Sequence, residues 1–213
     1  MPQLPVDEAA LWDQRYRDAS DGWELGRPAP PLERALRGDP RVPGPPGQVL
    51  VPGCGRGHEA ALLAELGFAA IGLDVSGEAL QEARRRHGAE TERLRWLQAD
   101  LFDRAALAQA GLGPGSLDGV VEHTCFCAIP PERRPAYLAQ MAQLLAARGW
   151  LLGLFWCHNR PGGPPYGSEP EAVADQLRRA GFAPQLWEPA IGSVDSRDNE
   201  WLGLWRREPW AEP

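Results

Sequence analysis

From Gln48 to Trp156 the sequence alternates short apolar runs with helix-patterned segments, and this alternation limits the fold more than any other feature. The runs are VLV (49–51), AAIGLDV (69–75), LRWLQAD (94–100), LDGVVEH (117–123) and WLLGLFW (150–156). Between them lie HEAALLAEL, GEALQEARRR, DRAALAQA and RPAYLAQMAQLLA. Strands covered on both faces read as continuous apolar runs, and strands joined through helices run parallel by right-handed crossovers. The pattern predicts an α/β domain whose strand-to-helix loops share one edge of the sheet, the edge where ligands bind in open sheets. After Trp156 come a Gly/Pro-rich loop, the helix EAVADQLRRAGF, and the segments PQLWEP and EWLGLWRR, which predict an antiparallel hairpin closing the sheet. Before Gln48, the segment 6–17 carries Leu11, Trp12 and Tyr16 with Asp7 near its start and predicts a short amphipathic helix. A turn holding Trp23 and a second short helix follow in DGWELGRPAPPLERAL.

With 213 residues, 43% hydrophobic and 24% charged, the chain can fill one core, and residues 1–213 are expected to form one domain. A net charge of -7 argues against nucleic acid or an anionic membrane as partner. No apolar run reaches about 18 residues and the N-terminus lacks a signal-peptide pattern, so a soluble, cytoplasmic protein is expected, monomeric or weakly oligomeric. The cysteines Cys54, Cys125, Cys127 and Cys157 do not form a secreted disulfide framework. All 22 basic residues are arginine; the absence of lysine excludes a lysine Schiff base, a pyridoxal-phosphate anchor and a Walker A loop.

Between the first apolar run and its helix stands PGCGRGHE, with Gly53, Gly55 and Gly57 two residues apart. Glycine adopts positive φ and lets a ligand approach the backbone, so a strand, glycine turn and helix in that order predict a ligand cradle. With the acidic Asp74 ending the next strand, two ribose-bearing ligands compete. A dinucleotide usually takes G-x-G-x-x-G with its pyrophosphate on the helix N-terminus, where Glu59 in the first turn would repel it. S-adenosylmethionine has no phosphate and fits better. Asp74 can accept hydrogen bonds from its ribose hydroxyls. Asp100 can accept from the adenine amino group while Leu101 and Phe102 pack on the ring.

These motifs carry a specific resemblance. WDQRY (12–16), WELGRPAPPL (23–32), VLVPGCGRGHE (49–59), GLDVS (72–76), FCAIPPERRPAY (126–137) and GGPPY (162–166) stand in the order found in the thiopurine S-methyltransferase family, taken broadly to include its thiol and halide methyltransferase branch. The resemblance implies a Rossmann-like Class I methyltransferase fold, with a seven-stranded, mostly parallel sheet, helices on both faces and an antiparallel last strand. It also implies an N-terminal helical cap, residues 1–47, over the cofactor. Trp12, Trp23 and Leu25 are expected to wall the sulfonium and methionyl end, since an indole face attracts a sulfonium as it does an ammonium. With Gly53, Cys54, Gly55, Gly57, Asp74, Val75, Asp100, Leu101, Phe102 and Glu122 they make up the implied cofactor set.

The implied reaction moves a methyl group to a small soft nucleophile by in-line displacement, leaving S-adenosylhomocysteine. A thiol or sulfide is the first expectation, and a halide or thiocyanate the next. Thiopurine or selenium and tellurium acceptors, or cofactor binding without turnover, are the alternatives. In the family the segment EHTCFCAIPPERR lines the methyl-transfer pocket, and His123 falls where other branches carry arginine or tyrosine. His123 and Tyr166 are the catalytic candidates; His123 either assists deprotonation or supplies a hydrogen bond, its alternative being a structural histidine. Thr124, Phe126 and Tyr166 are the expected pocket walls. Cys125 and Cys127, with His123 and His58, lack zinc-ligand spacing, so no metal is expected. Cys54 reads as a small packed residue.

Overall fold

The computed structural model describes residues 8–208. Val6 and Asp7, the expected start of the first helix, lie outside them. Helix α1 (Glu8–Arg17) and helix α2 (Pro30–Gly38) precede the sheet, and Pro30 and Pro31 open α2 where no backbone donor is needed.

Seven strands follow: β1 (Gln48–Pro52), β2 (Ala69–Asp74), β3 (Leu94–Gln98), β4 (Leu117–His123), β5 (Leu145–Trp156), β6 (Phe182–Pro189) and β7 (Glu200–Arg207). Their order across the sheet is β3-β2-β1-β4-β5-β7-β6. Strands β1 to β5 pair in parallel, and β7 inserts antiparallel between β5 and β6, as the expected closing hairpin requires. The strand order reverses at β1, which pairs with β2 on one side and β4 on the other, opening a crevice beyond their C-terminal ends.

Period-two alternation divides the core between the two faces of the sheet. Leu50, Ile71, Val120, Leu151 and Trp205 pack with Leu107 of helix α5 (Arg104–Gln109), Tyr137, Leu138 and Met141 of helix α7 (Arg134–Leu144), and Val173 and Leu177 of helix α8 (Pro170–Arg179). Their neighbours Val49, Val51, Ala70, Val121, Leu152 and Leu204 face the other way. They meet Leu32 of α2, Ala60 and Leu63 of helix α3 (His58–Leu66), and Leu80 and Ala83 of helix α4 (Gly77–His87). Single-residue alternation between two buried faces is why the strands read as unbroken apolar runs.

Several strand boundaries differ from the sequence reading. The fifth strand begins at Leu145, not Trp150, and so takes in the end of the expected helix, because the buried Leu145 pairs with Leu117 of β4. That pairing outweighs the helical preference of Ala146 and Ala147. Val75, Ala99 and Asp100 stand past the ends of β2 and β3, in the loops.

At Gly57, φ is 80° and an added Cβ would lie 2.4 Å from the Trp96 ring. Gly57→Ala is expected to cost about 2–4 kcal/mol, combining left-handed strain with overpacking; urea unfolding of the two proteins measures it.

Candidate functional site

The glycine turn is held in place by the end of the neighbouring strand. Gly53, Gly55 and Gly57 all have positive φ (57°, 52° and 80°), a run that L side chains rarely adopt. Asp74 clamps the turn: its Oδ2 accepts from the Gly55 amide at 2.9 Å and its Oδ1 from the Ser76 amide at 2.9 Å. Burial pushes the Asp74 carboxyl up to about 6 despite these amides. The Val75 amide also bonds the carboxylate, which still keeps acceptor capacity for a ligand hydroxyl.

Over this turn lies a cavity of about 680 Å³, within the roughly 300–1,000 Å³ usual for small-molecule sites. Because β2 and β3 lie on one side of the crevice and β4 and β5 on the other, the lining divides into two ends. Leu73, Asp74, Val75, Asp100, Leu101 and Phe102 make one end, and Cys127, Trp156, Arg160, Tyr166 and Arg197 the other. Leu11, Trp12, Arg15, Tyr16 and Trp23 of the N-terminal segment line it as well. Trp12 and Trp23 meet edge to face at 5.6 Å, and the Arg15 guanidinium lies 5.1 Å from the Trp12 ring centroid. Arg160 stands 4.9 Å from the Trp156 centroid, and Arg133 4.1 Å from that of Phe102.

Ion pairs fasten the N-terminal segment to the glycine turn. Arg56, inside the turn, pairs with Asp21, with Glu24 at 3.2 Å and with Glu82 of α4. Glu24 also meets His58 Nε2 at 2.7 Å. Burial opposes ionisation of Glu24, but His58, the Gly26 amide and Arg56 outweigh it and bring its pKa down to about 2. From α1, Asp13 accepts from Ser76 Oγ at 2.6 Å and from the Glu78 amide at 3.2 Å, where α4 begins.

The structure gathers Trp12, Trp23, Gly53, Asp74, Val75, Asp100, Leu101, Phe102, Thr124 and Tyr166 around the large cavity. Other expected site residues stand outside that lining. Glu122 is 1% exposed and accepts from the Phe126 amide at 2.8 Å and from the Tyr137 hydroxyl. Its carboxylate ties β4 to the short helix α6 (Cys125–Ala128) and lies away from the cavity lining. Phe126 is a core residue, edge to face with Phe155 at 5.4 Å. Leu25, Cys54, Gly55 and His123 line a smaller space of about 30 Å³ beside the glycine turn, which adjoins the large cavity at Trp23, Gly53 and Thr124. Gly57 serves packing against Trp96 and lines neither space. Glu59 does not face the large cavity: its carboxylate accepts from the Ala29 amide at 3.0 Å and meets His123 Nδ1 at 3.0 Å. The electrostatic argument against a pyrophosphate therefore weakens, since that carboxylate is turned away and partnered.

His123 is doubly engaged, with Nε2 at 2.9 Å from Arg197 Nη1. Arg197 also donates to the Trp23 carbonyl, and Glu200 lies 3.5 Å from it. Thr124, next along, takes a left-handed φ of 62° as it leads into α6. Cys125 and Cys127 line the large cavity as free thiols. Burial and the nearby Glu122 carboxylate push both up, Cys127 to about 12. Among the described residues no group of three metal-ligating side chains gathers, and no helix is long and apolar enough to cross a membrane.

The sequence reading missed Arg15, Arg160 and Arg197. The absence of lysine was the available signal: every cation in a pocket of this chain must be an arginine.

A family model described as thiopurine S-methyltransferase matches residues 7–190. Thiocyanate methyltransferase 1 of Brassica oleracea is 31% identical over 205 residues, covering 94% of this chain and 86% of its own. Thiopurine S-methyltransferase of Pseudomonas putida (strain GB-1) is 28% identical over 190 residues, covering 83% of each. Among solved structures, the 1,6-didemethyltoxoflavin-N1-methyltransferase of Burkholderia thailandensis, with its substrate and S-adenosylhomocysteine bound, shares the fold at a TM-score of 0.72 and 22% identity. The match covers 96% of this chain and 88% of that one.

Removing the Arg56 guanidinium leaves Asp21, Glu24 and Glu82 facing one another without their cation. Arg56→Ala is expected to destabilise the fold by about 1–3 kcal/mol and to speed proteolytic cleavage between α1 and α2. Denaturant unfolding and timed digestion check both. Because the folded pKa of Glu24 is depressed, its contribution is full above its ordinary value near 4.5 and is lost as pH falls toward about 2. Acid titration of Glu24→Gln should lack that component.

Proposed function

Since the chain belongs to the thiopurine S-methyltransferase family and is an S-adenosylmethionine-dependent methyltransferase, we propose that its acceptor is a small anionic soft nucleophile, thiolate or sulfide first and thiocyanate or halide next. One observation carries this reading: the end of the cavity away from Asp74 and Asp100 presents Arg160 and Arg197, Arg15 of the N-terminal segment also lines the cavity, no imidazole does among the described residues, and the Glu8 carboxylate in the lining is paired with Arg133. A neutral acceptor would need a base there. An anion needs a cationic wall and the exclusion of water.

The residues present fit the cofactor. Asp74 keeps acceptor capacity for the ribose hydroxyls, Asp100 stands where the adenine amino group can donate, and Leu101 and Phe102 offer apolar faces beside it. Trp12 and Trp23 wall the methionyl and sulfonium end, and the described part of the N-terminal segment, residues 8–47, acts as a cap. When bound, the cofactor supplies an electrophilic methyl group on a sulfonium. The chain's part is to exclude water, align the acceptor against that methyl and hold the acceptor's charge with guanidinium groups. Thr124 and Tyr166 belong to the wall on the acceptor side. The names of the Brassica and Pseudomonas relatives, thiocyanate and thiopurine methyltransferases, support a sulfur nucleophile. Four free thiols suit a reducing compartment, so a cytoplasmic location and a monomer or weak oligomer are part of the same reading.

A second reading, a heterocyclic thiol such as a thiopurine, is favoured by the room in the cavity and by the rings of Trp156 and Tyr166 at its acceptor end.

Purified protein with S-adenosylmethionine, offered bisulfide, a small thiol, iodide, thiocyanate and a thiopurine in parallel, is expected to release S-adenosylhomocysteine fastest with one of the small anions. Matching volatile methyl product in the headspace identifies which. Equal, background-level release in every tube would overturn the reading. Asp74→Ala is expected to weaken cofactor binding by about 1–3 kcal/mol, the usual loss on removing a hydrogen-bonded polar partner. In the wild type the affinity should fall as pH drops through about 6, where Asp74 takes up its proton. Calorimetric titration with S-adenosylhomocysteine at a series of pH values tests both.

A further inference from the structure

Three charged or ionisable groups from three different elements stand in a line that the reaction itself leaves unexplained. Glu59 lies in the first turn of α3, His123 ends β4, and Arg197 belongs to the single 3-10 turn between β6 and β7. All three side chains are less than a tenth exposed. A guanidinium has only donors and no lone pair, so the His123 nitrogen that faces Arg197 Nη1 at 2.9 Å must be an unprotonated acceptor. The other nitrogen, Nδ1, then carries the hydrogen and donates it to Glu59 Oε1 at 3.0 Å. Glu59 is itself fixed by the Ala29 amide at 3.0 Å. The charged groups around the imidazole are Glu59 from α3, Arg197, the neighbouring Glu122 of β4 and, through Arg197, Glu200 of β7. Arg197 alone of these lines the large cavity, while its Nη2 donates to the Trp23 carbonyl of the cap.

We infer that Glu59 and His123 are a positioning pair: neutral His123, oriented by Glu59, fixes the Arg197 guanidinium in the acceptor wall. This rests on the reading of an anionic acceptor. It replaces the expectation that His123 is a base, because an imidazole accepting from an arginine has no free lone pair for a substrate proton. It gives Glu59 a role that the cofactor does not need. It also links the acceptor wall to the cap, since the guanidinium that the imidazole holds is bound to the Trp23 backbone.

The test has two parts. Long-range nitrogen-proton NMR on the protein with S-adenosylhomocysteine bound reads the ring state of His123, assigned by loss of its signals in His123→Gln. The Nδ1–H tautomer is expected; an Nε2–H tautomer or an imidazolium at neutral pH overturns the pair. Kinetics with the best acceptor anion follow. His123→Phe, near in size but without donor or acceptor, is expected to raise the acceptor KM about tenfold while kcat falls less than about threefold, the signature of lost ground-state positioning. His123→Gln, which keeps one donor and one acceptor, is expected to recover most of that loss. An unchanged KM in His123→Phe, or a collapse of kcat alone, overturns the inference. Should the panel of acceptors give no turnover, the anionic-acceptor reading fails by itself, and the NMR still decides whether His123 is the neutral acceptor of Arg197.

Discussion

Between Pro52 and His58 the chain must leave a buried strand and enter a helix within five residues, and it does so with three left-handed glycines clamped by the Asp74 carboxylate. Everything at the site takes its place from that clamp. The Gly55 amide donates to a carboxylate on the adjacent strand, so the turn cannot shift without breaking the end of β2. A Cβ at Gly55 would stand 2.8 Å from the Tyr16 hydroxyl, so the N-terminal helix seats on the turn with no room to spare. The small residues therefore serve two neighbours at once, backbone below and helix α1 above.

The charges follow the same economy of partners. Arg56 and Arg197 are each almost fully buried, and each joins the N-terminal segment to the body, Arg56 through Asp21 and Glu24 and Arg197 through the Trp23 carbonyl. Buried cations of this kind add little net stability over an apolar contact, yet they are costly to unpair, which makes them suited to defining one arrangement of a segment. Planar guanidinium groups, with several donors in fixed directions, can bridge three partners where an ammonium would act as a point charge.

Much of this was legible in the sequence. The five parallel strands and the closing hairpin declared themselves because both faces of the sheet are buried and each run is short. The glycine turn and the place of Asp74 at the end of β2 were legible because strand ends and positive φ leave few residue choices. Glu122 and Phe126 were expected at the site from the resemblance carried by EHTCFCAIPPERR; a helix begins at Cys125, and the Glu122 carboxylate turns to cap it at the Phe126 amide, away from the cavity lining. Arg15, Arg160 and Arg197 stayed hidden because nothing in their local sequence separates them from surface arginines. Their meaning comes from long-range packing that brings residues 15, 160 and 197 to one cavity. The engagement of His123 on both sides was invisible for the same reason, since Glu59 and Arg197 lie far from it along the chain.

Cys125 and Cys127 stand in the wall of a cavity in an S-adenosylmethionine-dependent methyltransferase, whose methyl donor is an electrophile. An ionised wall thiol would be a permanent rival to the acceptor, always present and never diffusing away. Pushed up to about 12, the Cys127 thiol stays protonated at neutral pH. Burial, together with the Glu122 carboxylate beneath the wall, keeps the protein's own sulfur in its unreactive form. The catalyst is thereby protected from becoming its own substrate by electrostatics, without any need to hold its thiols at a distance.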